Sequence, residues 1–184
     1  MAMPFPASQD SRISRFYDYW SGLRSGRLLP TLDAIDPVDL APLLPTLWVA
    51  GWDDEARDFV YRLAGERILQ VFRRPIRHQT LGAIYSGPVA ETLRDRYKRL
   101  CTEPAAYYGH GHIYGHVERY GIGERLILPL SDKYGRPKLV VGCTVYTPTA
   151  WPVGQSGVSP RKNAEIGQFT SLDGSALEPV RAAG

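Results

Sequence analysis

The sequence predicts an α+β domain built on an antiparallel sheet. Three observations predict it. Apolar residues recur at helical spacing over Ser11 to Leu23 and over Pro88 to Cys101, five further segments read as strands, and the connections within the strand blocks are of hairpin length. Such connections cannot join parallel neighbours. An order of helix, short helix, two strands, helices, three strands and tail is therefore an antiparallel sheet with a helical insert.

The first helix, Ser11 to Leu23, places Ile13, Phe16, Tyr17, Trp20 and Leu23 on one face, with Arg12, Arg15 and Asp18 turned away. Ser8 is its expected N-cap, and Gly22 and Gly26 are its stop signals. From Pro30 to Pro45 a short helix is expected, with Asp36 at the N-cap, Pro37 at the first position and Asp39 near the positive end of the dipole. Leu47 to Trp52 and Arg57 to Leu63 form a hairpin across Asp53–Asp54–Glu55; in its second strand Phe59, Tyr61 and Leu63 alternate against Val60 and Arg62. The helix from Pro88 carries Val89, Leu93, Tyr97, Leu100 and Cys101 on its apolar side, and Asp95 precedes Arg99 by four residues.

Three strands follow, Ala105 to Tyr114, Glu124 to Leu130 and Lys138 to Thr147, the last two joined by a loop over Ser131 to Pro137. Leu139 to Val145 is apolar on both faces, as a central covered strand is. After Pro148 no periodicity survives among the prolines, glycines and serines; this tail reads as extended, with Trp151 and Phe169 able to dock. The expected division is a helical flank over residues 1–46, a sheet domain over 47–147 and a tail over 148–184.

Composition narrows the function classes. The chain has 184 residues, enough for one packed domain, and 43% of them are hydrophobic. A net charge of +3, from 22 basic and 19 acidic residues, is too small for a nucleic-acid footprint. No run of 18 apolar residues occurs and Met1 to Asp10 has no secretory pattern, so a cytoplasmic protein without a membrane partner is expected. Cys101 and Cys143 stand outside any CxxC pair and read as reduced thiols.

Four phrases in order resemble a known family. They are Tyr19–Trp20–Ser21–Gly22–Leu23–Arg24 through Arg27 to Pro30, Asp36–Pro37 with Leu43–Leu44–Pro45, Phe59–Val60–Tyr61–Arg62–Leu63–Ala64–Gly65, and Leu128–Pro129–Leu130–Ser131. The pattern resembles single-domain PAS proteins common in alphaproteobacteria and covers Arg12 to Thr147. The resemblance implies a five-stranded antiparallel PAS sheet with short helices over one face and an N-terminal flanking helix. Glu66 departs from it, standing where the family usually has a small hydroxyl residue, and Arg73–Arg74–Pro75–Ile76–Arg77–His78 is more basic than the family's pattern. Arg62 and Glu66, at the end of the third phrase, are counted among the candidate ligand-binding residues.

The densest chemistry lies in His110–Gly111–His112–Ile113–Tyr114–Gly115–His116. Residues two apart in a strand share a face, so His110 and His112 point to one metal ion with His116 as a third ligand. The plainer reading is a half-exposed strand with polar rings, since the nearest carboxylate in sequence, Glu118, is not beside the triplet. Tyr107, Tyr108 and Tyr114 suit either a small-molecule cavity under the helical insert or ordinary strand packing. His78 with Arg73, Arg74 and Arg77 reads first as a solvated basic loop. Neither a GxSxG elbow, a phosphate-binding glycine loop nor an HExxH pair is present, so no catalytic residue and no cofactor is assigned.

The expectation is a non-enzymatic PAS sensory or interaction module in bacterial signalling. Tyr108, His110, His112, Tyr114, Arg62 and Glu66 are its candidate ligand-binding residues. Ile13, Phe16, Tyr17, Trp20 and Leu23 either seal their own sheet or form the interface of a homodimer. No output domain fits in the remaining length, so a protein partner acts in trans. The alternative is a small metal-dependent or ligand-transforming enzyme using His110, His112 and His116.

Overall fold

A computed structural model describes residues 8–103, 105–113, 121–148 and 165–172. A sheet of six antiparallel strands stands between two unequal helical layers. The strands are β1 (Leu47–Asp53), β2 (Asp58–Ala64), β3 (Ala105–Ile113), β4 (Gly121–Leu130), β5 (Leu139–Pro148) and β6 (Ile166–Ser171), in the spatial order β2-β1-β5-β4-β3-β6. One helix, α1 (Ser11–Leu23), covers one face; α2 (Glu66–Phe72), α3 (Leu81–Ile84) and α4 (Pro88–Thr102) cover the other.

Period-two alternation builds both cores from the same strands. Leu47 and Val49 of β1 join the α1-side cluster, while Trp48 and Ala50 join the α4-side cluster. In β5, Leu139, Val141, Cys143 and Val145 face α1, and Val140 faces α4. Under α2–α4 the space is filled by rings: Trp48 stacks on Tyr97 at 5.4 Å, and Phe59 meets Tyr97 edge-on at the same distance. On the other side Ile13, Phe16, Tyr17 and Trp20 are buried against the sheet, and the Trp20 indole donates to the Pro129 carbonyl at 3.1 Å.

Several expectations are corrected. The N-cap of α1 is Asp10, whose carboxylate accepts the Arg12 N–H at 2.9 Å, because Ser8 is drawn away to Glu124. The helix expected between Pro30 and Pro45 is two 3₁₀ turns, Leu32–Ala34 and Leu44–Thr46, with reverse turns between them. Pro42 and Pro45 each remove an N–H that a continuous α-helix needs. Arg62 is the extra residue of a β-bulge: Val49 pairs with Leu63, but Ala50 pairs with Tyr61. The bulge reverses the alternation, so Leu63 leaves the face of Phe59 and Tyr61 and is 42% exposed. Arg99 pairs with Glu103 at 2.8 Å, not with Asp95.

The sheet also gains a strand. Residues 166–171 of the expected tail form β6, which pairs with β3 and buries Phe169. Trp151 lies outside the described residues.

Candidate functional site

A groove of about 530 Å³ opens on the α1 side of the sheet, between the start of the helix and the ends of β3, β4 and β5. Tyr108 and His110 of β3, Ile122 and Glu124 of β4, Val145 of β5, and Asp10 and Arg12 at the start of α1 line it. Tyr108, His110 and His112 share this face by strand alternation. The Tyr108 and His110 rings lie 6.0 Å apart with a 32° angle between planes.

Glu124 is the hub of the site. It lies directly across from His110 in the β3–β4 ladder and is only 9% exposed. A carboxylate so placed needs donors, and it has three. The Ser8 hydroxyl donates to Oε2, the Gln9 backbone N–H to Oε1 at 3.0 Å, and the Tyr108 phenol to Oε2 at 3.1 Å. Burial, and after it the neighbouring Glu124 charge, push the Tyr108 phenol up to about 12. Beside this hub the Arg12 guanidinium binds both Asp10 oxygens, Nε at 2.9 Å and Nη2 at 2.6 Å. That bond, more than any other influence, holds the Asp10 carboxyl below its ordinary range.

The sequence candidates divide between separate places. Tyr108 and His110 line the groove, and His112 follows on the same face, half-buried. Tyr114 and His116 lie outside the described residues. Arg62 and Glu66 sit on and just after β2, four strand steps from β3, about 19 Å away at the usual strand spacing. Glu66 lines a smaller, more open depression of about 300 Å³ with Leu44, Pro45 and Leu63. Tyr107 faces α4, away from Tyr108, so the two tyrosines serve opposite cores. Ile13, Phe16, Tyr17 and Trp20 are all at most 2% exposed within their own chain, and Leu23 is half-buried.

Among the described residues no three His, Cys, Asp or Glu side chains are placed to hold a metal ion. The basic loop is exposed; its Arg74 donates to the carbonyls of Ala83 and Ile84 at the end of α3. Sequence reasoning passed over Glu124, although a signal was present. Glu124 shares its strand face with Leu126, Leu128 and Leu130, and a carboxylate on an apolar face marks a buried polar contact.

Among the described residues no helix is long and apolar enough to cross a membrane. No curated protein matches the chain. A family model described as PAS domain matches residues 8–145, taking in α1, both core faces and β1 to β4 with most of β5, and ending before β6. With the six-stranded antiparallel sheet and four α-helices among the described residues, that match over more than half of the 184 residues shows that the chain belongs to the PAS domain family.

Proposed function

We propose that the chain is a non-enzymatic sensory and interaction module of bacterial signalling. It takes a small ligand in the α1-side groove and passes that event through α1 to a protein partner in trans. PAS domains are typically sensory or interaction modules. The observation that carries the reading is Glu124, which ties the groove to Ser8 and Gln9 immediately before α1.

A groove of about 530 Å³ is within the usual range for small-molecule sites. Tyr108, Ile122 and Val145 offer it an apolar or aromatic wall, and Glu124 offers an acceptor. The fitting ligand has a flat apolar body and a donor group that replaces Ser8 or Gln9 on the carboxylate. Replacement frees the start of α1, and it shifts the population because the ligand then prefers the freed arrangement. The reading places the module in the cytoplasm.

Native mass spectrometry of the freshly purified full chain, with thermal-shift screening of small molecules, tests the proposal and reports any homodimer. A bound or stabilising molecule whose effect disappears in Glu124→Gln is expected. A chain that binds nothing in either measurement, and captures no partner, overturns it.

A further inference from the structure

The strand β6 occupies a site whose walls are built by the rest of the domain. Glu165, immediately before the strand, and Gly167 and Phe169 within it lie on the α4 side, and each meets a fitted surface. The Glu165 carboxylate lies over Gly109 of β3, where a Cβ would collide with it. It accepts from the Tyr107 phenol at 3.2 Å, and two guanidiniums converge on it, Arg125 of β4 at 3.4 Å and Arg96 of α4 at 3.6 Å. These side chains are only 5–15% exposed, so the charges meet with little water between them. Gly167 lies opposite Gly109, and the Tyr107 ring crosses it closely enough to forbid a Cβ. Phe169 packs edge-on against Tyr107 at 5.2 Å, with the Arg99 guanidinium 4.2 Å above its ring.

All of these walls belong to residues 8–145, whereas the occupant is carried beyond them, after the 16 residues 149–164. An edge strand supplying backbone bonds, with pockets for alternate side chains, is the physical form of a strand-addition peptide site. We propose that the β3 edge with the Arg96–Arg125–Tyr107 cradle is a peptide-binding site. It selects an extended partner segment of the pattern acidic-x-Gly-x-aromatic, and Glu165 to Phe169 holds it in cis as a resident competitor. The two guanidiniums select the carboxylate, the Tyr107 ring selects glycine two residues on, and the Tyr107–Arg99 pair selects the aromatic ring. Because the resident strand belongs to the same chain, its binding is intramolecular and needs no second molecule, so a partner must bind tightly enough to displace it. The site is independent of the α1-side groove and stands or falls apart from it.

The test uses the full chain with a specific protease sequence substituted within residues 153–158, cut after folding. A labelled peptide spanning residues 163–174 is added in excess and followed by anisotropy and native mass spectrometry. The expected result is exchange of the labelled peptide for the resident fragment in the cut chain, with at least about 100-fold weaker uptake by the uncut chain. A Glu165→Gln peptide is expected to bind about tenfold more weakly, the loss of one charge-assisted contact set, and a Gly167→Ala peptide to fail. Because these changes are in the peptide, folding of the domain is untouched. A cut chain that unfolds, a resident fragment that no excess of peptide replaces, variant peptides that bind like the parent, or strand exchange into a dimer instead of peptide uptake would each overturn the proposal.

Discussion

Arg94 of α4 grips Asp58 of β2 with both arms of its guanidinium, Nε to Oδ1 at 2.9 Å and Nη2 to Oδ2 at 3.1 Å. The same carboxylate accepts the N–H of Gly82 at 2.9 Å and of Phe59 at 2.8 Å. One side chain thus joins the first hairpin to the two helices that cover it.

Burial alone would raise the Asp58 carboxyl, but Arg94 and the two backbone N–H groups outweigh it and hold it below its ordinary range. A carboxyl depressed in the folded state contributes stability fully above its unfolded value near 4, and that contribution disappears as pH falls through the lower folded value. Asp58→Asn is expected to cost about 2 kcal/mol at neutral pH, the scale of a buried charge-assisted hydrogen-bond set. Urea titrations should show the difference from the parent shrinking below about pH 4. A difference that stays constant with pH would refute the assignment.

Trp48 lies flat over Gly142 of the neighbouring strand, and its indole donates to Thr144 at 3.0 Å. A Cβ at position 142 would enter the indole ring. Gly142→Ala is therefore expected to destabilise by about 1–3 kcal/mol, as overpacked cores do. Thermal unfolding measures this, and the tryptophan fluorescence should shift as the ring is displaced.

Tyr108 keeps its proton up to about 12, so its bond to Glu124 persists throughout the neutral and moderately alkaline range. In Glu124→Gln the negative charge is gone. Phenolate absorbance should then show one tyrosine titrating at lower pH than in the parent. The same variant loses acceptor capacity for Ser8 and Gln9, at a cost of about 1 kcal/mol.

Both thiols are free, with Cys143 buried and Cys101 half-buried, and burial pushes each up to about 12. At pH 8 a thiol titrating at about 12 is thiolate to about one part in 10⁴, against roughly a quarter for an ordinary cysteine. Disulfide reagents should modify the native chain slowly at both positions and the denatured chain at once. Rapid native labelling of either residue would contradict the packing.

The elements that were legible in the sequence are those whose signal is local. Ile13, Phe16, Tyr17 and Trp20 announce α1 by spacing alone, and the helix spans the expected Ser11–Leu23. The helix from Pro88 ends at Thr102, one residue past its expected end, and the strand around Leu139 to Val145 is central, as its two apolar faces require. A helical or alternating period belongs to a few successive residues and needs no partner to be read. That Tyr108 and His110 share one strand face was legible on the same ground, and both line the α1-side groove.

Features that depend on what a residue faces were settled by the tertiary structure. The bulge at Arg62 exists only because Val49 and Ala50 pair with Leu63 and Tyr61, and it sends Leu63 to the other face. The strand β6 carries no periodicity of its own to be read; β3 supplies an edge to pair with, and Tyr107 and Arg99 a seat for Phe169. Glu124 reached His110, Tyr108 and Ser8 across 14, 16 and 116 residues of sequence. The antiparallel α+β class was therefore fixed by local periodicity and short connections. The position of the groove and the identity of its central carboxylate were fixed by strand register, which pairs residues at separations that no local pattern records.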